Sequence, residues 1–110
     1  MNEIEKQKLL IIDDDDDLRT QMKWALSQDY DVLLAEDRQS ASAVMKKDDP
    51  AVITLDLGLP PHPARDEEGF AVLDDILSEY GQTKVIIITG RGEKEHAMKA
   101  VGKGAYDFFY

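Results

Sequence analysis

The chain has 110 residues, 43% hydrophobic and 33% charged, with a net charge of −10 and no cysteine. That length suits one domain around a single packed core, and no apolar run approaches the ~20 residues that span a bilayer. The acid excess repels nucleic-acid phosphates, disulfides and thiolate metal sites are excluded, and Met1-Asn2-Glu3-Ile4-Glu5 does not resemble a signal peptide, which fits a cytoplasmic protein.

Leu9-Leu10-Ile11-Ile12 is a short continuous apolar run ending at Asp13 to Asp17, and reads as a buried parallel strand. Leu18, Met22, Ala25 and Leu26 then share one apolar helix face, with Asp15 to Asp17 in the first turn, where acids suit the helix dipole. Trp24 falls off that stripe. Val32 to Ala35 predicts the second strand, and Asp37 caps a helix that turns Ala41, Val44 and Met45 inward. Pro50 ends this helix, and Val52 to Asp56 is the third strand.

A long loop from Leu57 to Glu68 follows, carrying Pro60, Pro61 and Pro63. The next helix presents Phe70, Leu73, Leu77 and Tyr80 and stops at Gly81. Lys84 to Thr89 is the strongest strand signal. Gly90 and Gly92 flank the loop before a short helix with Ala97, Ala100 and Val101 inward, and Gly104 leads into a last strand, Ala105 to Tyr110. The resulting βαβαβαβαβ pattern implies a doubly wound parallel sheet with helices on both faces and its ligand site at the carboxyl ends of the strands.

Three strand ends carry polar groups to that edge: Asp13-Asp14, Asp56 and Thr89. Like charges gathered there are unfavourable unless a hard cation sits among them. Mg²⁺ prefers about six oxygens and keeps several waters, so two carboxylates and a backbone carbonyl suit it. A carboxylate beside Mg²⁺ can attack phosphorus, and Asp56, alone after its strand, is the natural nucleophile. The aspartate run lacks the alternating ligand spacing and turn glycine of an EF-hand, and His62 and His96 read as surface residues.

Leu10-Ile11-Ile12-Asp13-Asp14-Asp15-x-x-Leu18-Arg19, Leu55-Asp56-Leu57-Gly58-Leu59-Pro60 and Ile86-Ile87-Ile88-Thr89-Gly90 together resemble the receiver domain of two-component response regulators. The resemblance spans nearly the whole chain, 1–110, and implies a flavodoxin-like (CheY-like) five-stranded parallel sheet of order 2-1-3-4-5. By that resemblance Asp56 is the phospho-acceptor for a partner kinase's histidine. Asp14 is the direct Mg²⁺ ligand, Asp13 holds the ion partly through water, and Gly58 offers its backbone carbonyl. Thr89 is the switch hydroxyl and Phe108 the aromatic switch. Gly58 and Arg91 occupy the positions that tune dephosphorylation; neither readily positions a water, which implies slow self-hydrolysis. The implied partners are a sensor histidine kinase or phosphotransfer protein and a covalently linked output domain acting in transcription, with no direct nucleic-acid or membrane contact by this domain. Gly104 to Phe109 resembles the same stretch in receivers of sigma-54-dependent, NtrC-type activators.

Two departures from the family pattern stand out. Pro61 to Glu68 makes the loop roughly five residues longer, and loops of this length are often functional. A similar insertion marks regulators associated with PEP-CTERM protein sorting. The family's lysine and last helix would follow Tyr110, so the chain is expected to be a receiver truncated before its final helix; the uncovered face would invite a homodimer or a domain swap. Two rival readings are a phosphorylation-independent pseudo-receiver and a haloacid dehalogenase-type phosphatase. The first is disfavoured because the acidic and hydroxyl positions are filled. The second lacks its acid, since Gly58 stands two residues after Asp56.

Overall fold

Five short parallel strands, the first four rich in Leu, Ile or Val, form the centre of the molecule. The computed structural model describes residues 5–59, 67–88 and 94–109. Its elements are β1 Lys8–Ile12, α1 Asp16–Leu26, β2 Asp31–Ala35, α2 Arg38–Asp48, β3 Val52–Asp56, α3 Glu67–Glu79, β4 Lys84–Ile88, α4 Lys94–Lys103 and β5 Asp107–Phe109. The strand order is β2-β1-β3-β4-β5, the order implied by the resemblance.

Because side chains alternate across a strand, the sheet has two different faces. Leu10, Ile12, Ile53, Leu55, Val85 and Ile87 point to one face and pack with Ala41 and Met45 of α2, Phe70, Val72, Leu73 and Ile76 of α3, and Ala97 and Ala100 of α4. Each fully buried Leu or Ile in this layer contributes on the order of 2 kcal/mol relative to exposure. Right-handed crossovers put α1, the one helix there among the described residues, on the opposite face, where it lies against β1 and β2. Leu9 and Ile11 of β1 are buried on that side, Ile86 and Ile88 are half-buried, and Phe109 is 58% exposed.

Several sequence expectations shift at this level. No residue of α1 is buried: Ala25 is exposed and Leu18 is 38% exposed, because Arg19, Met22 and Leu26 are the side chains turned most toward the sheet. On α4, Val101 is exposed while Ala97 and Ala100 are sealed. The long loop is shorter than expected at its far end, since Glu67 and Glu68 already belong to α3. β5 begins at Asp107 rather than Ala105. The amides of Gly104 and Ala105 both donate to the Ala100 carbonyl, closing α4 and leaving Tyr106 as the first residue to bond towards β4. Gly104 has φ 131, which only glycine adopts readily, as the turn demanded.

The helices are tied together at their exposed rims. Arg38 of α2 makes a two-pronged contact with Asp75 of α3 (2.9 and 3.1 Å) and reaches Glu68 at 3.4 Å. The Phe70 ring receives Lys99 and Lys103 of α4 at 4.8 and 5.9 Å from its centre. Asp37 caps α2 through a reciprocal pair with Ser40, and this bonding holds the Asp37 carboxyl below its ordinary range.

The other end of α2 carries a local conflict. Asp49 closes the helix in the left-handed conformation, φ 45, and places a negative charge at the negative end of the helix dipole. Asp49→Gly is expected to stabilise the protein by about 0.5–1 kcal/mol, since glycine meets no Cβ penalty there. A higher urea midpoint with an unchanged slope is the measurement that checks it.

Candidate functional site

The acidic run divides into distinct roles as β1 ends. The Asp13 amide still donates to the Ala35 carbonyl of β2 at 3.1 Å, so its side chain is held at the sheet edge, 3% exposed. Its Oδ1 accepts the Asp15 amide at 2.9 Å. Asp15 in turn caps α1, accepting from the amides of Asp17 and Leu18 at 3.0 and 3.1 Å. Asp16 and Asp17 are exposed in the first turn.

Asp56 ends β3 opposite Ile88 of β4. Its Oδ1 accepts the Gly58 amide at 3.0 Å. Leu57 and Leu59 are fully buried on either side of Gly58, which anchors the backbone that follows the carboxylate. β1 and β3 are neighbours in register, Ile12 beside Leu55. Asp13, Asp14 and Asp56 therefore each bring a carboxylate oxygen to within 4.8 Å of the others.

Burial and crowding both act on the Asp13 and Asp56 carboxyls. Burial pushes the Asp56 carboxyl up to about 6; the Gly58 amide opposes this, while Asp13 and Asp14 push it further up. Burial likewise raises Asp13, against the opposing Asp15 amide and with the charges of Asp14 and Asp15. Three desolvated, mutually repelling oxygen donors are the donor set that a hard divalent cation satisfies, so the residues present fit Mg²⁺.

The remaining predicted positions divide as follows. Gly58 lies beside the pocket, half-buried. Phe108 sits opposite Ile87 in β5 and packs on the α2–α4 face of the core. Thr89, Arg91, His62, Tyr110 and residues 60–66 of the inserted loop lie outside the described residues. His96 is exposed on α4.

Two residues at the site carry no signal that sequence pattern alone assigns. Gly69 of α3 faces the Leu57 backbone so closely that a Cβ would lie 2.3 Å from both its Cα and its carbonyl oxygen. Arg19 of α1 donates from Nη1 to the Asp13 carbonyl at 2.6 Å and pairs through Nη2 with Asp16. Arg19 follows Asp16 by one helical turn, a spacing visible in the sequence, but its contact with Asp13 is not.

An acidic pocket at the carboxyl edge of a 2-1-3-4-5 parallel sheet is the arrangement of a receiver-type α/β domain. Residues 9–110 match the model of the response regulator receiver domain, and the chain belongs to that family. It is 33% identical over 104 residues to the transcriptional regulatory protein KdpE of Staphylococcus aureus, covering 94% of this chain and 42% of that protein. It is 33% identical over 101 residues to the nitrogen assimilation regulatory protein NtrX of Azorhizobium caulinodans, covering 91% of this chain and 22% of NtrX. The crystal structure of NtrX from Brucella abortus in complex with ADP superposes with a TM-score of 0.86 at 31% identity, over 94% of this chain and 23% of that one. The chain thus spans less than half the length of these relatives, and these likenesses agree with a CheY-like receiver of the NtrC type.

Two predictions follow from the geometry. The folded Asp56 carboxyl sits at about 6 against an ordinary 3.8, so the native state binds its proton more tightly and stability falls as pH rises from about 4 to about 6. In chelator, Asp56→Asn should therefore be more stable than wild type by roughly 1–2 kcal/mol at pH 7, discounted for partial exposure, and this advantage should shrink towards pH 4. Urea midpoints across pH measure it. Gly69→Ala should destabilise by at least about 2 kcal/mol, because the obstruction is backbone rather than a movable side chain. Thermal unfolding in chelator reports that loss.

Proposed function

We propose that this chain is a phosphorylatable switch in which Asp56 takes a phosphoryl group from a histidine of a sensor kinase or phosphotransfer protein. The observation that carries the reading is the convergence of Asp13, Asp14 and Asp56 within 4.8 Å at the end of neighbouring strands. Asp56 is the nucleophile. Its oxygen forms a bond to phosphorus as the phosphorus–nitrogen bond of phosphohistidine breaks, and the freed imidazole nitrogen takes up a proton. At neutral pH a carboxyl that titrates at about 6 is mostly ionised and ready to attack.

Asp13 and Asp14 hold Mg²⁺, with Asp56 and the Gly58 carbonyl completing the protein's share of oxygens. When bound, Mg²⁺ offsets the negative charge on the phosphoryl oxygens during transfer. The Gly58 amide orients Asp56, and the buried Leu57 and Leu59 keep that loop from drifting. Thr89 supplies a hydroxyl to the phosphoryl group and Phe108 changes packing in response. Arg91, with Gly58, leaves no group to activate water, so the aspartyl phosphate is long-lived. The domain acts as a cytoplasmic signalling switch rather than a turnover enzyme. KdpE and NtrX are regulators by name, which supports a transcriptional output domain. The receiver domain takes in residues 1–110.

Acetyl phosphate with Mg²⁺ is the direct test, read by intact mass. The expected result is a gain of one phosphoryl group that needs both Mg²⁺ and Asp56, and that Asp56→Asn abolishes. A gain that persists in Asp56→Asn would place the acceptor elsewhere. No gain from acetyl phosphate or a kinase would leave the phosphorylation-independent interaction module as the better reading.

A further inference from the structure

Arg19 is the one cation among the described residues that contacts the main chain of the acidic pocket, and it does so from an unusual position. It belongs to α1, yet its side chain is only 14% exposed. One arm of the guanidinium ends on the Asp13 carbonyl at 2.6 Å. The other pairs with Asp16, and Glu36 beyond β2 lies 4.0 Å away. The Asp13 carbonyl belongs to the peptide joining Asp13 to Asp14. Fixing that peptide plane fixes where the Asp14 N and Cα sit, and so the point from which its side chain departs. Asp13 itself is pinned by the Ala35 carbonyl and the Asp15 amide.

We infer that Arg19 is a positioning residue for the divalent-cation site, holding the Asp13–Asp14 peptide so that both carboxylates face Asp56. The inference rests on the reading of that pocket as an Mg²⁺ site. Its physical signature is a sign. A guanidinium near a cation site repels the cation, so on charge alone its removal tightens Mg²⁺ binding. As a positioning group its removal loosens binding, since residues that orient metal ligands typically change affinity by ~10–100-fold. A lysine keeps the charge but presents a single ammonium instead of two N–H groups aimed at separate acceptors.

The experiment titrates Mg²⁺ at constant ionic strength and follows the rise in melting temperature, which yields the dissociation constant by linkage. Wild type, Arg19→Gln and Arg19→Lys are compared, each with its melting temperature in chelator as the measure of fold integrity. The expected result is Mg²⁺ affinity about tenfold weaker in Arg19→Gln and a smaller, measurable loss in Arg19→Lys. A role in fold stability alone would lower the chelator baseline and leave the Mg²⁺ constant in place. Unchanged or tighter binding in Arg19→Gln, or wild-type binding in Arg19→Lys, overturns the inference. If the glutamine variant does not fold, the lysine variant decides, because charge alone predicts no change for it. No Mg²⁺ response in wild type would overturn the metal reading itself, and the inference with it.

Discussion

Electrostatic repulsion among three carboxylates, enforced by the hydrogen-bonded register of two adjacent strands, is the constraint around which this molecule is organised. Asp13 and Asp56 stand at the ends of β1 and β3 because Ile12 pairs with Leu55. The strands behind them are sealed on both faces for most of their length and have no freedom to slide apart. A one-residue slip would turn every core side chain to the wrong face. Hydrophobic burial thus holds together charges that would otherwise separate, and burial first, then the neighbouring carboxylates, keep the Asp56 and Asp13 carboxyls above their ordinary range.

The local bonds around the pocket share a direction: backbone amides point at carboxylates. Gly58 donates to Asp56, Asp15 to Asp13, and Asp17 and Leu18 to Asp15. Each donor eases the charge without neutralising it, which leaves the oxygens ordered and still short of a full positive partner. Five consecutive aspartates therefore do three jobs: two face the pocket, one caps a helix and two are solvated at its first turn.

Much of this was legible in the residues themselves. The apolar runs ending at Asp13 and Asp56 announced buried strands with polar ends, and Asp37 announced its cap, because those signals are local. The order of the strands came from family resemblance rather than periodicity. What stayed hidden depends on tertiary rotation. A stripe of apolar residues on α1 says which side is greasy, but not that Arg19 lies closer to the sheet than Ala25. Val72 and Ile76 of α3 are as buried as the expected Leu73, since a helix pressed on a sheet and between two helices buries more than one stripe. The closing turn of α4 consumed Ala105, which its strand-like surroundings gave no hint of. Gly69 lies at the opening of α3 by resemblance, but that a side chain there would strike the Leu57 backbone is a tertiary fact.

That contact changes how the inserted loop should be regarded. Leu57 and Leu59 are locked into the core on one side, and on the other Gly69 abuts Leu57 while Arg38 grips Glu68 and Asp75. The two ends of the insertion are therefore fastened to the same body by Leu57, Leu59, Gly69 and Asp75, which lie outside it, and by Glu68, its last residue. Doubling the length of a chain between fixed ends costs only about 0.6 kcal/mol in closure entropy. A change of length between those two ends therefore costs the fold little, and the carboxylate beside them keeps its place.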